Sequence, residues 1–214
     1  MASTIPTLTE GKTTIRPIRL RDARALEREL AENRGWLRKW EATNPVGPMS
    51  FDVRGSIRHL QSNARAGFGL PFIIEYKGEL AGQLNVSSIS YGSLSSASIG
   101  YWVSERFAGL GLTPTAVALA TDHCFFTVGL HRMEICIRPE NDPSLRVTEK
   151  LGFRYEGLRR RYIHINGDWR DHFCFALTVE ELPVGVLRRW KDGKVPAGAG
   201  VVPAADRVAA GVGA

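Results

Sequence analysis

Tyr101-Trp102-Val103-Ser104-Glu105-Arg106-Phe107-Ala108-Gly109-Leu110-Gly111-Leu112-Thr113-Pro114 reads as the end of a strand, a glycine-bearing loop and the start of a helix. Glycine lets backbone N–H groups approach a ligand with no Cβ in the way. A helix N-terminus adds unpaired donors and a partial positive charge. In this order the three elements make a cradle for a pyrophosphate. The plain alternative is a loop that happens to hold two glycines, and short glycine motifs alone do not separate the two.

Outward from this stretch, the chain alternates as a mixed α/β domain. Residues 12–19 read as a strand, and Asp22 is placed to cap a helix running to residue 33. Trp36, Leu37 and Trp40 follow at helical spacing before Asn44-Pro45 and Gly47-Pro48 break the chain. Residues 51–66 read as another helix. Strands at 70–76 and 79–89 flank a Lys77-Gly78 turn, and 95–104 is a third. Thr113 is expected to cap the next helix, with Pro114 at its first position and its end near residue 128. Its apolar character on most sides predicts burial. A strand at 132–138, a helix at 143–151 stopped by Gly152, strands at 153–163 and 171–178 around Asn166-Gly167, and a helix at 179–190 complete the pattern. Residues 1–191 are expected to form a single domain. From residue 192 the composition turns to Ala, Gly, Val and Pro, and 192–214 is expected to be a disordered tail.

Composition narrows the function. The 214 residues carry a formal net charge of +6, which suits an anionic ligand, but no basic run reads as a nucleic-acid arm. The start lacks the pattern of a signal peptide, and the apolar stretch at 116–130 is interrupted and too short to span a bilayer. Cys124, Cys136 and Cys174 sit far apart in apolar segments with no CxxC pair, and the five histidines lack zinc-ligand spacing. The expectation is a cytoplasmic protein with reduced core cysteines, no metal, no nucleic acid and no membrane contact, as a monomer or homodimer.

The glycine stretch resembles the cofactor motif of the GNAT superfamily of acyl-CoA-dependent N-acyltransferases, written Q/R-x-x-G-x-G/A. Two registers fit: Arg106-x-x-Gly109-x-Gly111, and Ala108 to Thr113 with Ala108 in place of the usual Gln or Arg. The second keeps the family's spacing after Tyr101-Trp102-Val103 and is preferred. Downstream, Asn141-Asp142-Pro143-Ser144 and Glu149-Lys150-Leu151-Gly152-Phe153 resemble the N-x-x-S…EKLGF segment of the same superfamily. Asn33-Arg34-x-Trp36-Leu37-x-x-Trp40, Ile99-Gly100-Tyr101-Trp102 and Asn166-Gly167-Asp168-Trp169-Arg170-Asp171 look like the RimJ/RimL branch, the ribosomal-protein alanine N-acetyltransferases.

The resemblance implies a GNAT fold: a mostly antiparallel sheet, splayed at the cofactor site and flanked by helices. It implies acetyl-CoA bound by Tyr101, Trp102, Val103, Gly109, Leu110, Gly111, Leu112, Thr113 and Asn141, with a backbone N–H near Val103 on the acetyl carbonyl. Ser144 becomes the candidate proton donor to the thiolate, against the alternative of a first-turn residue satisfying a local N–H. Glu134, on the polar side of its strand, is the candidate base through water, against a salt bridge to Arg132 or Arg138. Glu105, Asp168 and Asp171 stand in reserve. Trp36 and Trp40 read as core, with walls of an acceptor groove as the alternative. The acceptor implied is the N-terminal α-amine of a ribosomal or other protein. A small amine such as an antibiotic, polyamine or amino acid is the alternative, and a non-catalytic acyl-CoA-binding regulator is the reading from another class.

Overall fold

The computed structural model describes residues 5–47 and 52–212. Pro48 and Phe51, expected at a chain break and a helix start, lie outside the described residues. The elements run β1 (Leu8–Glu10), β2 (Thr13–Pro17), α1 (Ala23–Glu32), α2 (Arg34–Leu37), α3 (Val53–Arg65), β3 (Leu70–Tyr76), β4 (Glu79–Ser90), β5 (Ser96–Val103), α4 (Leu112–His123), β6 (Arg132–Ile137), α5 (Asp142–Leu151), β7 (Arg154–Ile165), β8 (Asp168–Thr178), α6 (Val186–Lys191) and α7 (Ala204–Ala209). They build one sheet ordered β1-β2-β3-β4-β5-β6-β8-β7. Every neighbour is antiparallel except β5 and β6.

Alternation along β3 divides the core between two faces. Phe72 and Ile74 join the larger cluster beneath α4 and α5, with Ala116, Val117 and Leu145. Ile73 turns the other way, onto Ile18, Leu26 and Ile57 beside α1 and α3.

The parallel pair decides the site. β5 and β6 are in register only from Ser96–Arg132 to Ser98–Glu134, and then they part. Ile99 to Val103 on one arm and Ile135 to Ile137 on the other have no ladder partner across the gap, so the sheet opens as a V. This is the expected splay.

Three local expectations are corrected. Asp22 does not cap α1 with its side chain. Its carboxylate takes the Arg19 N–H at 2.7 Å and two bonds from Arg16, at 2.8 and 2.9 Å. Thr113 is not the cap of α4 either: Gly111, left-handed at φ 79°, holds that place, and the helix ends in a π turn over Cys124–Val128. The helix expected at 179–190 is cut to Val186–Lys191, because Pro183 and Gly185, at φ 86°, interrupt it. Asp122 then caps the shorter helix, accepting the Val186 and Leu187 N–H groups at 2.6 and 3.1 Å.

The tail is described through residue 212 and carries the short helix α7. Val202 is 4% exposed within the main core, Gly200 lies against Glu149, and the Tyr155 hydroxyl donates to Asp206 at 2.8 Å. Its small residues are what allow it to lie close on α5.

Candidate active site

The open V leads into a cleft of about 460 Å³ lined by β5 residues Tyr101, Trp102 and Val103, by Thr113 of α4 and by Asn141, Ser144 and Val147 around the start of α5. Trp36, Leu37, Lys39 and Trp40 cover it from the α2 side. Trp36 and Trp40 are therefore walls of the groove and not core, the alternative left open above.

Backbone polarity in the V follows from the ladder. Ser104 N–H bonds Ala81 O on β4 at 2.8 Å. Successive peptide groups of a strand point to opposite sides, so Val103 presents its N–H and C=O to the gap. Trp36 Nε1–H takes that carbonyl at 3.2 Å, and the N–H remains facing the cleft.

The glycine loop passes the test for a diphosphate. Gly109 and Gly111 both stand at φ 79° with no protein atom within 4 Å of where a Cβ would project. Among the described residues, the N–H groups of Gly109, Leu110, Gly111, Leu112 and Thr113 meet no acceptor, and Pro114 has no N–H to leave unpaired. Unpaired donors converging at the N-terminus of a twelve-residue helix make an anion seat. Arg106 takes no part in it. Its guanidinium reaches back to Glu29 and Glu79, each at 2.8 Å, which favours the register that begins at Ala108. Glu29, 1% exposed, also accepts the Ser104 hydroxyl at 2.6 Å and so pins the start of the loop to α1. A helical glutamate gives no sequence signal for this, because its partners lie some 75 residues away.

Asn141 and Ser144 come together as expected. Asn141 Oδ1 accepts the Ser144 N–H at 3.3 Å, which leaves the amide NH₂ free toward the cleft. Ser144 Oγ lies 2.7 Å from the Tyr101 hydroxyl, a contact the sequence reading missed. Burial pushes the Tyr101 phenol up to about 12, against a smaller opposing effect of the Ser144 hydrogen bond, so it stays a proton carrier through neutral pH.

Glu134 does not join them. It lies on the polar side of β6 as expected, but Arg132 Nη2 bonds it at 2.7 Å and Arg159 Nη2 at 3.4 Å, and it does not line the cleft. The guanidinium from β7 arrives from a neighbour that strand alternation alone cannot see. Of the reserve candidates, Asp171 accepts the Arg161 N–H at 2.7 Å, and neither it, Glu105 nor Asp168 lines the cleft.

A side cavity of about 200 Å³ adjoins the cleft, sharing Trp40, Tyr101, Arg138, Asn141 and Ser144 with it. Ile163, Ile165, Cys136 and His172 form its floor. His172 is 3% exposed. Its Nδ1 lies 3.0 Å from Arg170 O, an acceptor only, so Nδ1 carries the proton and Nε2 the lone pair. Burial lowers its pKa below the ordinary histidine value against the opposing hydrogen bond to Arg170 O, with Arg138 lowering it further and Glu140 and Asp171 opposing, and the Tyr162 ring packs edge-on at 5.8 Å.

The sequence profile of the acetyltransferase (GNAT) domain matches residues 12–154. The chain belongs to the GNAT acetyltransferase family. It is an acetyl-CoA-dependent N-acetyltransferase, and its open, mostly antiparallel sheet flanked by helices is the fold the family resemblance implied. It is 39% identical to Mycobacterium smegmatis RimJ, solved in complex with CoA-disulfide. That likeness covers 86% of this chain and 90% of the other, with a TM-score of 0.79. The [ribosomal protein uS5]-alanine N-acetyltransferase of Escherichia coli (strain K12) is 31% identical over 182 residues, 83% of this chain and 93% of that one. The spermidine N(1)-acetyltransferase of the same strain is 28% identical over 158 residues, 73% of this chain and 81% of that one. Among the described residues no helix is long and apolar enough to cross a membrane.

Proposed function

We propose that the acceptor is the N-terminal α-amine of a protein, ribosomal or other, met in the cytoplasm. The observation that carries this reading is the charge of the cleft. Among the described residues, its lining holds Lys39 and Arg138 as cations against Glu140 alone, and Glu140 is paired with Arg138 at 3.1 Å. A polyamine, with several positive charges, needs carboxylates that this wall does not offer. A chain end presents one amine, and its pKa near 8 leaves far more of it neutral than a lysine amine near 10.4. Lys39 and Arg138 also stack on Trp40, at 4.9 and 5.5 Å, which gives that wall a flat face for a peptide.

Acetyl-CoA supplies the thioester. The N–H groups of Gly109 to Thr113 hold its diphosphate, and Asn141 donates to the pantetheine arm. The Val103 N–H stabilises the charge that develops on the carbonyl oxygen. Tyr101 donates to Ser144 Oγ and orients the serine hydroxyl toward the departing sulfur. The amine proton passes to Nε2 of His172, through water, in the role the sequence reading gave to Glu134.

The test is thiol release with peptides bearing free or blocked N-termini, beside spermidine. Turnover confined to free N-termini is expected. Turnover of spermidine above that of every peptide would overturn the acceptor assignment.

A further inference from the structure

Cys136 on β6 and Cys174 on β8 face each other directly in register, with their sulfur atoms 3.0 Å apart. Directly opposed residues of an antiparallel pair have Cα atoms about 4.5 or 5.5 Å apart, and both values fall within the roughly 4.4–6.8 Å that a disulfide spans. The strand register thus sets the two side chains within reach of one another. Cys136 is also reachable, since it forms part of the floor of the side cavity that opens into the cleft. Arg159 Nη1 lies 3.6 Å from its sulfur. We propose that this pair is a thiol-oxidation site that closes to a cross-strand disulfide when the protein meets a peroxide.

The hydrogen bond from Cys174 and the nearby Arg159 charge hold the Cys136 thiol below its ordinary value, despite opposing burial, so Cys136 is the attacking sulfur. Its thiolate attacks one peroxide oxygen and breaks the O–O bond, giving Cys136 sulfenic acid and one water. Cys174 then attacks the Cys136 sulfur, expels the hydroxyl group as a second water and forms the S–S bond. Two thiols are oxidised and one peroxide is reduced to two waters. The link ties β6 to β8 at the cavity that Cys136 shares with Ser144 and His172. Cys124, buried in apolar surroundings that push its thiol to about 12, stays out of the reaction and serves as an internal reference.

The experiment treats the full-length protein with hydrogen peroxide, then counts thiols and maps peptides with and without dithiothreitol. Of the three free cysteines, two should be lost together in a linked Cys136–Cys174 peptide pair and recovered on reduction. In Cys174→Ser, Cys136 should stop at a dimedone-reactive sulfenic acid. Retention of all three thiols, a link to Cys124, or stepwise oxidation of Cys136 with no linked peptide would each overturn the proposal. None of these readouts depends on acetyl transfer, so the acceptor assignment and this one fail separately.

Discussion

Gly111 offers the sharpest test of the cofactor seat, because one position carries both a backbone requirement and an electrostatic one. Its φ of 79° is left-handed, and it caps a buried twelve-residue helix that cannot shift freely. Any L-residue there costs about 1–2 kcal/mol in the folded protein. At roughly 2–4 °C per kcal/mol for a chain of this size, Gly111→Ala and Gly111→Glu should both lower Tm by about 2–8 °C. Binding separates them. The Glu variant sets a carboxylate against the diphosphate. For one charge pair at about 5 Å and an effective dielectric near 20, repulsion is about 3 kcal/mol, or about 10²-fold in Kd. Titration calorimetry with acetyl-CoA should therefore give Gly111→Glu about 10²-fold weaker binding than Gly111→Ala, with the gap narrowing as salt rises. A folded Gly111→Glu protein whose Kd lies within about twofold of Gly111→Ala, at low and high salt alike, would refute a diphosphate on this loop.

Deleting residues 192–214 should destabilise the domain. Exposing the site of Val202 costs about 1.5–3 kcal/mol and loss of the Tyr155–Asp206 bond about 1.5–3 more, so a melting curve of the truncated chain should drop by several degrees, and an unchanged Tm would show that the tail contributes nothing. Ser144→Ala should lower kcat by about 10²–10⁴-fold with little change in acetyl-CoA affinity, and Tyr101→Phe should lower it by a smaller factor; equal Kd loss and kcat loss in both would make the pair a binding contact. Because His172 is depressed below the ordinary value, it is neutral and competent at pH 7 and loses that competence only as pH falls through its folded pKa; His172→Gln should slow the reaction at neutral pH and recover as pH rises past the α-amine pKa near 8, whereas Glu134→Gln should keep the wild-type profile.

What the chain revealed by itself was mostly what local chemistry decides. Alternation and turn residues located β3 to its end residues and β4, β5, β6 and β8 within a few, since strand period and Lys77-Gly78 or Asn166-Gly167 turns act over short spans. The glycine loop and the Asn141–Ser144 step were legible for the same reason. The failures are long-range. Residues 192–212 lack a hydrophobic pattern, yet Val202 finds a pocket made by the rest of the core, and that pocket has no local signature. Alternation put Glu134 on the correct side of β6 but could not report that Arg159 of β7 waits there. Cys136 and Cys174 are 38 residues apart, and only the β6–β8 register makes them neighbours. His172 lies in a segment read correctly as strand, and its value comes from lining a cavity that β5, β6, α5, β7 and β8 enclose together.

The divergence of β5 from β6 ties the fold to the chemistry. In a closed sheet Val103 N–H would be paired, and an unpaired buried donor costs about 1–3 kcal/mol. The splay leaves such donors along one arm of the V, while the loop that follows leaves those of Gly109 to Thr113 in line with it. A closed β5–β6 ladder would satisfy the arm, so something must keep the strands apart. Two features on the cleft's rim do so. Trp36 takes Val103 O, an acceptor a continuing ladder would claim, and the Tyr101–Ser144 bond sets a β5 side chain against the start of α5 where the parallel ladder would continue. The same two contacts that hold the sheet open thus place an aromatic wall on the acceptor side and a hydroxyl pair on the sulfur side. A ligand that is long, carries a diphosphate at one end and accepts backbone hydrogen bonds along its arm satisfies every donor this opening exposes.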